Sequence, residues 1–154
     1  MITVGIDPDG TAHGVAVYED QTLIALHNFE LFDVLKLCLA FDDVVVSMEN
    51  TLMTNAVYTR NKNANRAIQD KIAVSIGRCQ QSQIELARAL ERHNIIYVLH
   101  NPTKNNWAKN KEYFERITGW NKRSNEDNRS AAYFAFLESR GKRNANISKQ
   151  NNIR

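Results

Sequence analysis

Cysteine and proline are scarce, two of each in 154 residues. Cys38 and Cys79 stand far apart in apolar helical patterns without CxxC spacing. They read as buried free thiols of a reducing cytoplasm rather than as a disulfide or metal pair. No window holds the roughly 18 uninterrupted apolar residues of a membrane span, and Met1 leads straight into a strand pattern, so neither membrane insertion nor a secretory leader is expected. None of the four histidines has metal-ligand spacing, and there is no Walker loop, zinc pattern or Ser/His/Asp arrangement. His13 alone lies beside the residues singled out below.

Positive charge is missing from the first third. Through Thr59 the only basic residue is Lys36, against nine acids. From Arg60 to Arg123 the balance inverts to thirteen basic residues and five acids, and Arg140 to Arg154 adds five more with no acid. Such a polarised chain suits one that gathers carboxylates around a cation and grips a polyanion. Ordinary surface charge fluctuation is the alternative.

The length fits one domain with a full core, placed at residues 1–139. The polar, basic segment 140–154 reads as a disordered tail. Three short strands, Ile2–Ile6, Gly14–Tyr18 and Leu23–His27, are separated by short turn segments and predict an antiparallel meander. Phe29 to Phe41 carries helical stripes at Phe32, Leu35, Leu39 and at Leu31, Val34, Cys38. Val44–Met48 is a near-continuous apolar run, as in a central strand. A polar segment, Thr51 to Asn65, reads as a loop. A long helix is expected from Asn65 to His93, with Ile68, Ile72, Ile76, Cys79, Leu86 and Leu90 on its buried face. Gly77 inside it suggests close packing. Ile95–Leu99 is the fifth strand; a short helix from Lys111 to Thr118 stops at Gly119, and a last helix runs from Glu126 to Ser139. Trp107 and Trp120 read as structural anchors around the short helix. A right-handed crossover then makes the first and fourth strands parallel neighbours. The expected fold is α/β, a five-stranded mixed sheet of order 3-2-1-4-5 with helices on both faces.

Alternation puts Thr3, Gly5 and Asp7 on one face of the first strand, and Val45, Ser47 and Glu49 on one face of the fourth. Asp7 and Glu49 can therefore emerge side by side, above small residues that leave room for a helix. If the last helix docks there through Ser130-Ala131-Ala132, Asp127 or Glu126 supplies a third carboxylate. Convergent carboxylates cannot all stay ionised without a cation. Oxygen-only donors suit Mg²⁺ or Mn²⁺. Two such ions about 4 Å apart would activate water and stabilise the leaving oxygen of a phosphodiester.

Gly5-Ile6-Asp7-Pro8 with Gly14, Glu49 with Leu52-Met53, the long helix with Gly77-Arg78, and Asp127-Asn128-Arg129-Ser130-Ala131-Ala132 together resemble RuvC-type Holliday junction resolvases of the RNase H-like superfamily. The resemblance spans about residues 1–139. It implies metal ligation by Asp7, Glu49 and Asp127, and a homodimer that nicks a four-way DNA junction symmetrically. It also implies basic groups, among Lys104, Lys109 and Lys111, facing the scissile phosphate. Arg60, Lys62, Arg66 and Arg78 would touch DNA, and Tyr58 could stack on an unpaired base. The family carries a fourth acid where this chain has Ser130; Glu126 substitutes, the alignment slips by one, or one ion is held more weakly. Asp9 stands where the family has Gly, and reads as a turn former or an outer acceptor. Two other functions remain open: a degenerate module that binds structured nucleic acid, and a nuclease for an RNA/DNA hybrid or a flap. Sugar kinases and heat-shock ATPases also open on a strand with Asp and Gly, but this chain is short for their paired domains.

Overall fold

Period-two alternation in the first third builds the sheet. Strands β1 (Ile2–Asp7), β2 (His13–Glu19) and β3 (Thr22–Phe29) form the antiparallel meander, with a register irregularity between Val17 and Tyr18. These strands come from a computed structural model, which describes residues 1–53, 65–102, 105–141 and 145–147. After α1 (Leu31–Leu39), β4 (Val44–Glu49) runs parallel to β1, and β5 (Ile96–His100) runs parallel to β4. The order β3-β2-β1-β4-β5 is the expected one. A further short strand, β6 (Ala145–Ile147), pairs antiparallel with β5 beyond the five expected, inside the segment read as a tail. Polar composition gave it no strand pattern.

Two apolar layers cover the sheet. On one face Val4, Ile6, Val46 and Met48 pack with Val34, Leu35 and Cys38 of α1 and with Leu86 and Leu90 of α2 (Arg66–Arg92). On the other, Ala16, Tyr18 and Leu23 pack with Trp107, with Phe114 of α3 (Lys111–Thr118), and with Ala131, Ala132 and Ala135 of α4 (Glu126–Ser139). Trp107 is buried edge-on to Phe114 and Tyr133, the anchoring role its position suggested.

Helix ends follow their local chemistry. The Asn65 side chain accepts from the Ile68 amide, Asn110 accepts from Tyr113, and Gly119 closes α3 with a φ of 72°. Two expected faces are corrected. In α1, Val34, Leu35 and Cys38 turn inward while Phe32 is 81% exposed and Leu39 also faces out. In α2, only Gln83, Leu86 and Leu90 are buried, and Ile68 is 47% exposed. The reason is length. Its 27 residues span about 40 Å at 1.5 Å per residue, roughly twice the reach of a six-residue strand, so the first half of α2 runs past the sheet. Gly77 lies there with nothing among the described residues within 4 Å of where a Cβ would stand, so packing against those residues does not explain it. None of the described helices is long and apolar enough to cross a membrane.

Candidate active site at the strand ends

The parallel register of β1 and β4 sets Ile6 opposite Met48, so Asp7 and Glu49 leave adjacent strands together. Neighbouring strands lie about 4.8 Å apart. The small-residue face beneath them receives α4, as the sequence suggested. A Cβ at Gly5 would collide with the Ala131 carbonyl and stand 2.8 Å from the Ala135 Cβ. A Cβ at Gly14 would collide with the backbone carbonyl of Asp127. The Ser47 hydroxyl donates to the Phe134 carbonyl at 2.8 Å, tying β4 to the same helix.

Gly14 is the register partner of Asp7 on one side and of Asn28 on the other. These three residues form a transverse row under the start of α4. Asn125 and Asn128 close that helix with reciprocal side-chain to backbone bonds of 2.9 Å. Asn28 Oδ1 then accepts from Asn125 Nδ2 at 2.8 Å and Asn128 Nδ2 at 3.1 Å. The first turn of α4, carrying Asp127, is thus fixed to the sheet by amides rather than by apolar packing.

The resulting electrostatics are those of crowded carboxylates. Burial pushes the Asp7 carboxyl up to about 7; Glu49 adds to this, a hydrogen bond from Ser130 opposes it, and Asp127 and Asp9 add again. Asp127 is also raised, by burial first and then by Asp9 and Glu126. Asp7 therefore lies within electrostatic reach of both Glu49 and Asp127. Ser130 favours the ionised form of Asp7. Glu126 is exposed at the first position of α4, and its charge bears on Asp127.

Asp9 is the residue the sequence reading placed too lightly. It does form the turn, accepting from the Thr11 amide at 3.0 Å, and its own amide donates to His13 Nδ1 at 3.2 Å. Its charge also presses on both Asp7 and Asp127. The other Asp9 oxygen meets the Cys79 thiol at 3.7 Å. An Asp-Gly pair signals a turn and hides such a second role; only the contact with α2, seventy residues away, exposes it. Burial lowers the pKa of His13, favouring the neutral ring that accepts the Asp9 amide.

The basic candidates are spread more widely. Arg78 packs its aliphatic stem on Gly10, where a Cβ would stand 2.8 Å from the Arg78 Cβ, so it borders the Asp9 turn. Arg66 is exposed at the start of α2. Lys109 and Lys111 are exposed at the start of α3 and, with Asn106, Asn110 and Glu112, line a surface recess of about 520 Å³; Lys111 also meets Glu115 at 3.5 Å. Tyr58, Arg60, Lys62 and Lys104 lie outside the described residues. Among the described residues no three His, Cys, Asp or Glu side chains form a ready-made cage for a metal ion. By chemistry the donors still suit one: Asp7, Glu49 and Asp127 offer only oxygen, and the like charges that Glu49 and Asp127 set against Asp7 are what a hard cation would relieve.

No family model matches the sequence, and no curated protein matches it. Among solved structures, the chain is similar to Thermus thermophilus RuvC in complex with a Holliday junction substrate. The TM-score is 0.61 at 17% identity, covering 96% of this chain and 99% of that one. Thermus thermophilus RuvC in a second structure gives 0.61 at 16% identity, with 96% and 99% covered. The fold is RuvC-like, an RNase H-like α/β architecture.

Proposed function

We propose that this chain is a divalent-metal-dependent endonuclease acting on branched DNA, resolving four-way junctions by paired nicks as a homodimer. One observation carries the reading: Glu49 and Asp127 both press on Asp7 at the mouth of two parallel strands under the start of α4. The RuvC-like fold supports it, since Thermus thermophilus RuvC was solved with a Holliday junction substrate. So does the excess of basic residues after Arg60.

Asp7, Glu49 and Asp127, with Glu126 at the rim, would hold Mg²⁺ or Mn²⁺, in a pair of ions. Such ions lower the pKa of water and neutralise charge on a reacting phosphodiester. The chain's own residues do the rest. Burial and like charges keep Asp7 ready to lose its proton near neutral pH, and Ser130 favours its ionised form. Asn28, Asn125 and Asn128 keep Asp127 from withdrawing with its helix. Lys104 would face the scissile phosphate. Arg66, Arg78, Lys109 and Lys111, with Arg60, Lys62 and Tyr58, would grip the DNA arms, where phosphate contacts orient a duplex without reading its sequence.

The test is cleavage of a synthetic four-way junction by purified protein with Mg²⁺ or Mn²⁺, beside a plain duplex, a flap and an RNA/DNA hybrid. Metal-dependent paired nicks in the junction, lost in Asp7→Asn, Glu49→Gln and Asp127→Asn, are the expected result. Asp7→Asn cleaving as well as wild type would refute the site. A second reading, a junction-binding module without turnover, draws on Ser130, which stands where RuvC-type resolvases carry a fourth acid. Tight, metal-indifferent junction binding with no product would establish it.

A further inference from the structure

The chain does not continue as a strand after Glu49. Asn50 makes one last ladder bond, its amide donating to the His100 carbonyl at 2.7 Å. Thr51–Met53 then turn as a short 3₁₀ segment onto α2. There Gln83, 1% exposed, takes hold of the turn. Its Oε1 accepts from the Thr51 amide at 2.5 Å and from the Thr51 hydroxyl at 2.6 Å, and its Nε2 donates to Asn50 Oδ1 at 3.2 Å. One turn earlier on the same helix face, Gln80 Nε2 donates to the Thr51 carbonyl at 3.2 Å. Both backbone groups of Thr51 and its hydroxyl are therefore claimed by two glutamines.

The same stretch of α2 also reaches the other strand end. Arg78 packs on Gly10 and Cys79 meets Asp9, in the turn that follows Asp7. Residues 78 to 83 thus touch the chain just beyond each of the two strand-end carboxylates. Burying a primary amide without partners is costly, and an apolar side chain would fill the core here as well. A buried amide whose oxygen and nitrogen are both bonded, and which fixes two consecutive residues, has the properties of a positioning group.

We infer that Gln83, assisted by Gln80, is a positioning residue: it clamps Asn50-Thr51 so that the Glu49 carboxylate is aimed toward Asp7. The inference rests on the proposed nuclease reading for its consequence in catalysis, but not for its geometry. Gln83→Met keeps the side-chain length and removes all three hydrogen bonds. Thr51→Val removes one of them, and Thr51→Ser restores it. For a folded Gln83→Met protein, single-turnover junction cleavage should fall roughly 10–100-fold, the usual cost of losing a group that orients a ligand. Junction affinity should stay within about twofold of wild type, so the loss lies in the chemical step. Thr51→Val should show a smaller loss that Thr51→Ser reverses.

A second readout needs neither cleavage nor metal: the side-chain carboxyl resonance of Glu49 in protein labelled at glutamate carboxyl carbons. It should move in Gln83→Met and in Thr51→Val, and return in Thr51→Ser. Wild-type cleavage rates in folded Gln83→Met, or an unmoved Glu49 resonance in both variants, would overturn the inference. If wild type cleaves nothing, the nuclease reading fails, and the resonance alone decides whether Gln83 aims Glu49. If Gln83→Met does not fold, the Thr51 pair carries both readouts.

Discussion

The backbone carbonyl of Asp127 rests directly against the Cα of Gly14, in space that any side chain at position 14 would need. An α-helix end and a β-strand meet here without an intervening side chain, and the third carboxylate of the site arrives by that route. Gly14→Ala must push the start of α4 off the sheet. Overpacking of this kind costs about 1–3 kcal/mol, and here nothing on either side is a flexible side chain. Urea denaturation should show that loss, and an unchanged midpoint would place α4 elsewhere.

Asn28 offers a gentler way to loosen the same helix. Its Oδ1 accepts from both Asn125 and Asn128. Asn28→Ala should cost about 1 kcal/mol, the net value of one or two partly exposed hydrogen bonds. Amide exchange should quicken in the first turn of α4 and not in β1. Equal effects on both elements would mean that the row acts as one unit.

Metal-free stability should depend on pH through Asp7. Burial pushes its carboxyl up to about 7 in the fold, against an ordinary value of 3.8. Between those values the folded protein keeps a proton that the unfolded chain releases, so this group's contribution is full below about pH 4 and is lost as pH rises through about 7. Asp7→Asn removes the dependence. With a chelator present it should be more stable than wild type at pH 8, by on the order of 2 kcal/mol, and no more stable near pH 4. Thermal melts of both proteins across that range test it, and a constant difference would sink the argument. Adding Mg²⁺ at pH 8 should close the gap by stabilising wild type alone.

Gly77 should be replaceable. It sits mid-helix, its φ is not among the positive ones, and no described residue fills the space of its missing Cβ. Gly77→Ala should raise stability by up to about 1 kcal/mol through helix propensity alone. A loss of stability, or a change in the protein's association state, would show that something other than the described residues approaches the helix there.

The site was legible where it follows from strand parity and helix stop signals. Alternation along the strands placed Asp7 and Glu49 on one face, and Glu126-Asp127 followed by Ser130-Ala131-Ala132 marked the start of α4. Illegible parts depend on distance along the chain. Nothing local to Gln83 says that its amide meets Thr51, and nothing local to Asp9 says that Cys79 lies beside it. Periodicity also overreached in α2: Ile68, Ile72 and Ile76 keep the spacing of a buried face, but the sheet ends before the helix does. A stripe reports amphipathicity, not the extent of what it packs against.

The side-by-side exit of Asp7 and Glu49 has a consequence for how such a chain can change. Successive strand residues point to opposite faces, so position within β1 or β4 behaves as odd or even rather than near or far. One residue inserted between Val44 and Glu49 would not shift the carboxylate by a few ångströms; it would deliver it among Leu86, Leu90 and their neighbours, on the wrong side of the sheet. Insertions in pairs would restore the side but overshoot the mouth. Length variation in this chain is therefore confined to the segments between strands, where it leaves that parity untouched.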